Sequence, residues 1–509
     1  MRIFTFLIIL MLTTSCWKDD LDTSILGDDI SSDWSAPLIR AFFDIKDIDE
    51  EVSFINRLPD GKLQLVFSED SVINHDGEAY FDLPPDQPKT PHIITENMGV
   101  IPFEFSLSVY GGASLDHIVL HAGNLNFEFK QTYPVGTTVE FRFLNATLNG
   151  LPAVFDFEVT TSSQSGSFDV SGLNVDFTSA TGLNGIAYSV EVTNAAGLSG
   201  DDTIAYDWRF SNLRVETIEG YIGRRVVALP SLKQPIDFGG IERFQGMITL
   251  YEPELRITVH NPFGIDLKFT PAVNGIKKGS SPSLINLPEI VVDAASAPGV
   301  TTSTTTVFDK NNSDIVKFLQ NIPEQLFLQG TVVVNDDQDS SKFNFANRNS
   351  NLVIDVELII PLDFSAEEIT LTQESEQDVL KQLLQLDLNR LELDLRSVNR
   401  FPFWTELELI LIDTNEVRLD SVSLTVLQPA EVDENGRVTN EVSYSESVIF
   451  DQDVLDVIPF ATTYKLRLKL GTASQGEQRV VIYDDYDFKS LIRVKAGLNS
   501  YNINSSDDD

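Results

Sequence analysis

The side chains able to do chemistry are few and scattered. Cys16 is the only cysteine of 509 residues, and there are five histidines. A lone cysteine excludes a disulfide framework and a thiolate metal cluster. Five histidines leave little material for a His-rich metal site. His117 and His121 stand four apart in Asp116-His117-Ile118-Val119-Leu120-His121. On a strand they share a face but lie roughly 13 Å apart, too far to grip one ion. His260 reads as structural, and His75 and His92 fall in stretches that read as polar loops. Asn335-Asp336-Asp337-Gln338-Asp339-Ser340 begins like a calcium loop, with oxygen ligands at alternate places. Ser340 stands where that loop needs Gly, and Ala346 where it needs a bidentate Glu, so a solvated hairpin tip is expected. Tyr483-Asp484-Asp485-Tyr486-Asp487 reads as an acidic turn. Gly220-Tyr221-Ile222-Gly223-Arg224-Arg225 sets two glycines beside paired arginines without the spacing of a phosphate loop, and reads as a β corner. There is no Gly-x-Ser-x-Gly elbow. The expectation is a chain that is not an enzyme, with no catalytic residues, no metal and no cofactor.

Charge narrows the partners. There are 36 Lys+Arg against 77 Asp+Glu, a formal net charge of −41. Phosphate backbones and anionic lipid surfaces would be repelled, so nucleic acid is not an expected partner. Flat aromatic faces could still stack on sugar rings. Trp34, Trp208 and Trp404 are the candidates, with Trp208 read as core beside Phe210. Phe401, Phe403 and Trp404 surround Pro402 and form the best candidate for a partner contact, because a turn needs fewer large apolar residues.

The elements that carry these residues begin with an address. Met1-Arg2 is followed by an apolar run from Ile3 to Leu12, the length of a signal-peptide core and too short for a stable membrane span. Leu12-Thr13-Thr14-Ser15-Cys16 then resembles a lipobox, with Thr13 where a larger aliphatic residue is usual. The resemblance implies that Cys16 is acylated and becomes the mature N-terminus. Each buried methylene would add about 0.8 kcal/mol to the anchor. Trp17-Lys18-Asp19-Asp20 resembles the Lys-acid-acid export signal of Bacteroidota surface lipoproteins, and in layout the whole chain is similar to the large members of that group. The resemblance implies an outer-membrane lipoprotein facing the medium, with Lys18, Asp19 and Asp20 as its export signal. Residues 16–36 are acidic and Ser-rich, and read as a tether.

Beyond residue 37 apolar and polar residues alternate, as in Leu125-Asn126-Phe127-Glu128-Phe129, Leu391 to Arg396 and Leu407 to Leu411. That is the pattern of half-buried antiparallel strands. Asp60-Gly61, Asp76-Gly77, Asn149-Gly150, Asn274-Gly275 and Asn435-Gly436 read as turns. Short helices are expected at Asp314–Asn321, capped by Ser313, at 373–386, and near Gln452–Val457. Strand–corner–strand stretches recur at Leu120–Gly150, Pro253–Gly275 and Leu391–Asn415, about 130 residues apart, a usual domain size. In the second of these, Ile257 to Leu267 (ITVHNPFGIDL) is similar to the strand–Asn-Pro–strand motif of late-embryogenesis-abundant-type β-sandwich domains. The resemblance implies a corner between two strands of one sandwich, and no chemistry.

The expected fold is all-β, with several antiparallel sandwich-like repeats in an elongated array. The expected division is a signal peptide at 1–15, a tether at 16–36, an N-terminal β region at 37–110, repeats at 111–200 and 201–385 (with a linking helix), and a third repeat with an acidic tail at 386–509. The expected function is a lipid-anchored interaction subunit of an outer-membrane complex, its partner a β-barrel protein or another surface lipoprotein. A glycan-binding lipoprotein is the alternative. A lipid carrier ranks last, for want of helices to line an apolar tube.

Overall fold

Alternation makes strands because successive side chains point to opposite faces. Glu254–Asn261 shows the pattern plainly: Leu255, Ile257 and Val259 are buried, while Arg256, Thr258 and His260 are half-buried on the other face. The computed structural model describes residues 33–45, 54–95, 101–194, 202–238, 245–375 and 388–498. It is all-β, and no described helix exceeds six residues.

Most strands pair antiparallel into three units, each built on two ladders of four; Ile55–Arg57, Gln245–Gly246, Ile290–Val292 and Asn344–Asn347 add to them, and Thr249–Leu250, Asp363–Ser365 and Val480–Val481 form a separate three-stranded sheet. In the first unit one ladder runs Thr90–Thr95, Thr203–Tyr221, Ser114–Gln131, Ser163–Asp169. The other runs Ile101–Ser106, Gly185–Thr193, Thr138–Leu148, Leu151–Glu158. Leu173–Asp176 pairs with both and joins them into one sheet. In the second unit the ladders are Leu63–His75, Leu352–Pro361, Glu254–Asn261, Thr302–Phe308 and Arg225–Pro235, Gln325–Val334, Leu267–Ile276, Ser283–Asn286. In the third they are Asp33–Asp44, Asp487–Leu498, Leu388–Asn399, Val442–Ile449 and Ile369–Ser375, Thr463–Thr472, Phe403–Ile412, Arg418–Leu427.

The order of pairing is the same each time. A short helical turn sits at the same place in each unit: Phe177–Ser179, Ile315–Leu319 and Gln452–Val457. The units are nested in the chain. The first is continuous. It lies between the first strand of the second unit and the remainder of that unit, and both lie between Asp33–Asp44 and the remainder of the third. Pairing therefore crosses the boundaries at 110, 200 and 385 drawn from the sequence. The stretch 37–110 gives strands to all three units rather than forming a region of its own, because each of its strands finds a partner far along the chain.

Local expectations meet varied outcomes. Asn149 (φ 52°) and Gly150 (φ 81°) make a two-residue turn with both φ positive, the geometry whose twist suits a hairpin. Asn274-Gly275 is no turn but strand interior, paired with 326–327 and 283–284. Gly77 opens the helix Glu78–Phe81 instead of a hairpin. Ser313 does not cap its helix, since its hydroxyl donates to the Asp309 carbonyl at 2.7 Å. Asp451 does cap Gln452–Val457, accepting from the Val454 amide at 3.0 Å. Of the expected helix at 373–386, the first three residues end the strand Ile369–Ser375, and the remainder lies outside the described residues.

The first unit has an aromatic core. Phe129 lies 4.4 Å from Phe157 and Tyr188 4.3 Å from Trp208, centroid to centroid, and Phe127, Phe141, Phe143 and Phe210 pack around them. Each such ring contributes about 1.5–3 kcal/mol by burial, with about 0.5–1.5 kcal/mol more per well-placed pair. Trp208 is 3 % exposed, so it is core rather than a sugar platform. Side chains of 33–41, Trp34 among them, lie outside the description.

Candidate functional site

Each unit turns from one ladder to the other at a buried amide on the last residue of a strand. In the second unit the Asn261 amide donates to the carbonyls of Ile265 (2.8 Å) and Asp293 (2.9 Å), and its oxygen accepts from the Phe263 amide (3.0 Å). In the third, Asn399 donates to Phe401 and Gln428 carbonyls (2.9 and 2.8 Å) and accepts from the Phe401 amide (2.8 Å). In the first, Gln131 donates to the Thr161 carbonyl at 2.8 Å. An Asn side chain suits the corner because it carries both donor and acceptor at the right reach.

The third corner sends Phe401 and Phe403 inward. They are 3 % and 6 % exposed, with ring centroids 5.1 Å apart, and Phe401 also packs on Phe43, Tyr486 and Phe488. As a partner contact these two side chains are covered by their own chain. Trp404, half-buried, lies over Gly471 on the neighbouring strand, where an added Cβ would come within 2.7 Å of its ring. Aromatic cover of a strand glycine of this kind pins register.

Phe401 and Phe403 instead line an apolar cavity of about 110 Å³ at the seam of the second and third units. Phe43 and Leu470 come from the third unit, and Leu65 and Ile360 from the second. Lys277 and Gln320 are the polar side chains of the wall among the described residues. Both belong to the second unit, and Asn321 bonds Ser280 at 2.9 Å, which ties their two turns together. At about 24 cal/mol per Å³, such a void left empty would cost roughly 2–3 kcal/mol.

The polar clusters flagged in the sequence hold the chain together. Asp336 bonds Lys268 (2.9 Å) and Arg224 (3.1 Å), whose hydrogen bonds hold its carboxyl below the usual range. Lys342 bonds Asp266 and Asp337, each at 2.7 Å, which pushes the Lys342 ammonium pKa up. Arg225 donates to the Asp82 carbonyl and covers the Tyr110 ring at 5.0 Å. Burial brings its pKa down to about 10. The Gly220–Arg225 segment is thus the passage from the first unit to the second. Gly223 (φ +80°) is required there, since a Cβ would meet the Gly111 carbonyl at 2.7 Å. Asn335 and Asn344 close the joint, bonding each other, the Gly223 carbonyl and the Gly264 carbonyl. In the 483–487 turn Asp485 bonds Arg437 at 2.7 Å, and the Tyr486 hydroxyl accepts from the Val438 amide.

The histidines part company. His117 and His121 each face a carboxylate of their own, Asp176 at 3.9 Å and Glu216 at 3.0 Å. His75 and His92 are on strands, not in loops. His75 meets Tyr80 edge-on, and His92 stacks on Tyr206. Burial lowers the pKa of both, and one ring nitrogen of each is buried without a hydrogen-bond partner.

One arrangement had no signal in the sequence. His260 Nδ1 lies 2.7 Å from Ser303 Oγ, and Nε2 lies 2.6 Å from Asp355 Oδ2. The other oxygen of Asp355 accepts from the Ser71 amide at 2.7 Å. An imidazole between hydroxyl and carboxylate can pass a proton, but the ring is reversed relative to the hydrolase triad, where the hydroxyl faces Nε2. Ser303 is exposed on the sheet face, and the trio ties four strands together. The residues are too far apart in sequence to form a motif.

Cys16, Lys18, Asp19 and Asp20 lie outside the described residues. Among the described residues no helix is long and apolar enough to cross a membrane.

No family model and no curated protein matches the chain. Among solved structures it is similar to a protein of Parabacteroides distasonis ATCC 8503 described as secreted, at 12 % identity and a TM-score of 0.27, covering 92 % of this chain and 100 % of that one. It is also similar to infectious bursal disease virus Gt strain, at 7 % identity and a TM-score of 0.15, covering 89 % and 82 %. A third likeness is to the triple jelly roll of an archaeal virus, at 8 % identity and a TM-score of 0.11, covering 90 % and 95 %. Likenesses this low carry no argument, and the fold stands on its own strand pairing.

Proposed function

We propose that the chain is an outer-membrane lipoprotein, anchored by acyl groups on Cys16 and facing the medium, that serves without catalysis as an interaction subunit of an outer-membrane complex. The observation that carries this reading is the single cysteine at the end of the apolar leader, followed at once by Lys18-Asp19-Asp20. The body is then three copies of one two-ladder unit on an acidic tether. Thr302–Phe308 and Val442–Ile449 end their ladders at the same place in two units, and their alternate residues are exposed. Such edges favour a partner that adds a strand, either a β-barrel protein or another surface lipoprotein.

The test is purification from native membranes in mild detergent. A barrel or lipoprotein partner at fixed stoichiometry is the expected result. A lone chain that binds polysaccharide would replace this reading with glycan capture. Cys16→Ser should end lipid labelling and free the protein from membranes. Replacement of Lys18, Asp19 and Asp20 by Ala should protect it from protease added to whole cells.

A further inference from the structure

One ladder carries no carboxylate. Arg225–Pro235, Gln325–Val334, Leu267–Ile276 and Ser283–Asn286 contain no Asp or Glu, nor does Ile290–Val292 beside them. The whole chain has 77 Asp+Glu in 509 residues. The matching ladders of the other units bear Glu140 and Glu191 in the first and Glu406 and Glu408 in the third. On the inner face of the acid-free ladder Phe269, Leu328 and Val332 are buried. The outer face is open. Pairing sets Val226, Lys268 and Val291 in one row at one end, and Lys233, Phe327 and Leu284 in one row at the other. Val226, Leu284 and Val291 are each more than half exposed. Both lysines are already engaged. Lys268 bonds Glu289 (3.3 Å) and Asp336 (2.9 Å), just beyond the strand ends, and Lys233 covers the Phe327 ring at 5.8 Å.

We propose that a second copy of the chain docks on this face, sheet against sheet across a twofold axis. Two chains of net charge −41 repel each other, and a face without carboxylates is where they meet with least repulsion. Depletion of charge, more than bulk apolarity, marks the core of an interface. The lysines have partners within their own chain, so the face asks for no opposite charge from whatever covers it. That favours its own copy over an acidic partner. Twisted sheets pack face to face about 10 Å apart, and a face laid on its own copy is an isologous contact that closes at two chains. With strands about 4.8 Å apart and about 3.3 Å per residue, the face covers roughly 600 Å². Two such faces bury about 1,200 Å², the lower bound of a specific interface, so the dimer should be reversible. The inference stands apart from the anchor and from the edge strands that would take another protein.

The experiment is sedimentation velocity of the full chain in excess density-matched non-ionic detergent, across protein concentrations, at about 0.05 M and about 0.5 M salt. The expected result is a monomer–dimer equilibrium in which salt favours the dimer, because salt screens the like charges and the contact has no ion pair to lose. Thr331→Glu, on the exposed middle of the face, should weaken association roughly tenfold or more. Leu144→Glu adds the same charge to an exposed position on the first unit's matching ladder and should leave association as it is. Lysine cross-linking of mixed isotope-labelled and unlabelled chains needs no variant: links between copies should fall on peptides holding Lys233 or Lys268. A chain that stays monomeric at both salt concentrations would overturn the proposal. So would a dimer that salt dissociates, one that Thr331→Glu leaves intact, or links between copies confined to other lysines. Protection of these strands from hydrogen exchange by a neutral polysaccharide, in a chain that stays monomeric, would give the face to a glycan instead.

Discussion

Asn399 makes three hydrogen bonds to backbone groups while 1 % exposed, and Asn261 makes three while fully buried. A buried backbone group left without its partner costs about 1–3 kcal/mol. Asn399→Ala would take the partner from the Gln428 carbonyl and the Phe401 amide, while the Phe401 carbonyl would keep its bond from the Ala430 amide at 3.0 Å. The expected loss is about 2–4 kcal/mol, measured as a fall in the urea midpoint at constant slope. A change below about 0.5 kcal/mol would show that the corner holds without the amide. His92 gives a prediction in pH. Its pKa is lowered in the fold by burial, so the unfolded chain binds more protons as pH falls below the ordinary 6.5. The stability of the neutral ring is fully present above that value and is lost as pH drops toward the depressed one. His92→Phe keeps a ring against Tyr206 and removes the titration. Its urea midpoint should fall less between pH 7 and pH 5.5 than that of the wild type, and parallel curves would exclude His92 from the acid response. Of these residues only Asn261 was legible, because Pro262 follows it and the pair signals a corner. Asn399 does the same work before Arg400, and nothing local marks it. Phe401 and Phe403 were conspicuous for their bulk, but bulk beside a proline does not say which way the rings face. Ser303 and Asp355 meet His260 only through strand pairing, which local spacing does not encode.

Strands were readable as elements because alternation is local, whereas their partners were not. Asp33–Asp44 pairs along nearly its whole length with Asp487–Leu498, from Asp33 opposite Gly497 to Asp44 opposite Asp487. No pattern within either segment names the other. The same blindness misplaced Asn274-Gly275, whose turn-forming residue types are overridden by pairing on both sides. The consequence for fragments is direct. A piece beginning at residue 386 looks self-sufficient from its own alternating strands, yet it lacks Asp33–Asp44 from one ladder and Ile369–Ser375 from the other. Deleting residues up to 45 from the whole chain should open the third unit while sparing the first. Phe43 would no longer cover Phe401 and Phe488, whose centroids lie 6.1 and 5.9 Å from its own. The unpaired edge of Asp487–Leu498 would be free to recruit another chain. Hydrogen exchange should then speed up at 487–498 and 388–399 and stay slow at 203–221. Unchanged protection at 487–498 would mean that the strand is dispensable to its ladder.

Nesting sets the order in which the molecule can complete itself. Only the first unit draws both ladders from uninterrupted chain, 90–221, so it alone can close before the residues that follow have been made. The second waits for Leu352–Pro361 to reach Leu63–His75, and the third for Asp487–Leu498 to reach Asp33–Asp44. Closing so long a loop costs entropy that only the finished ladder returns, and the logarithmic dependence on length keeps that cost tolerable. The joint between the first two units carries polar links, Arg224 to Asp336, the Asn335–Asn344 pair, and Asn344–Asn347 laid against Thr217–Gly220, beside apolar packing that runs through both units. The aromatic core of the first unit lies on its own side of that joint. A fragment of residues 90–221 should therefore fold alone, with a near-ultraviolet signature from Trp208 among its rings and one cooperative melt. Its stability should fall within about 5–15 kcal/mol, the range of ordinary domains. It should melt lower than the same unit within the whole chain, because the edge that Asn344–Asn347 covers would be bare. A fragment with strand content but no cooperative transition would show that the inner unit needs the outer ones to hold its packing. The nesting would then describe how the strands are joined and not how the molecule comes to be folded.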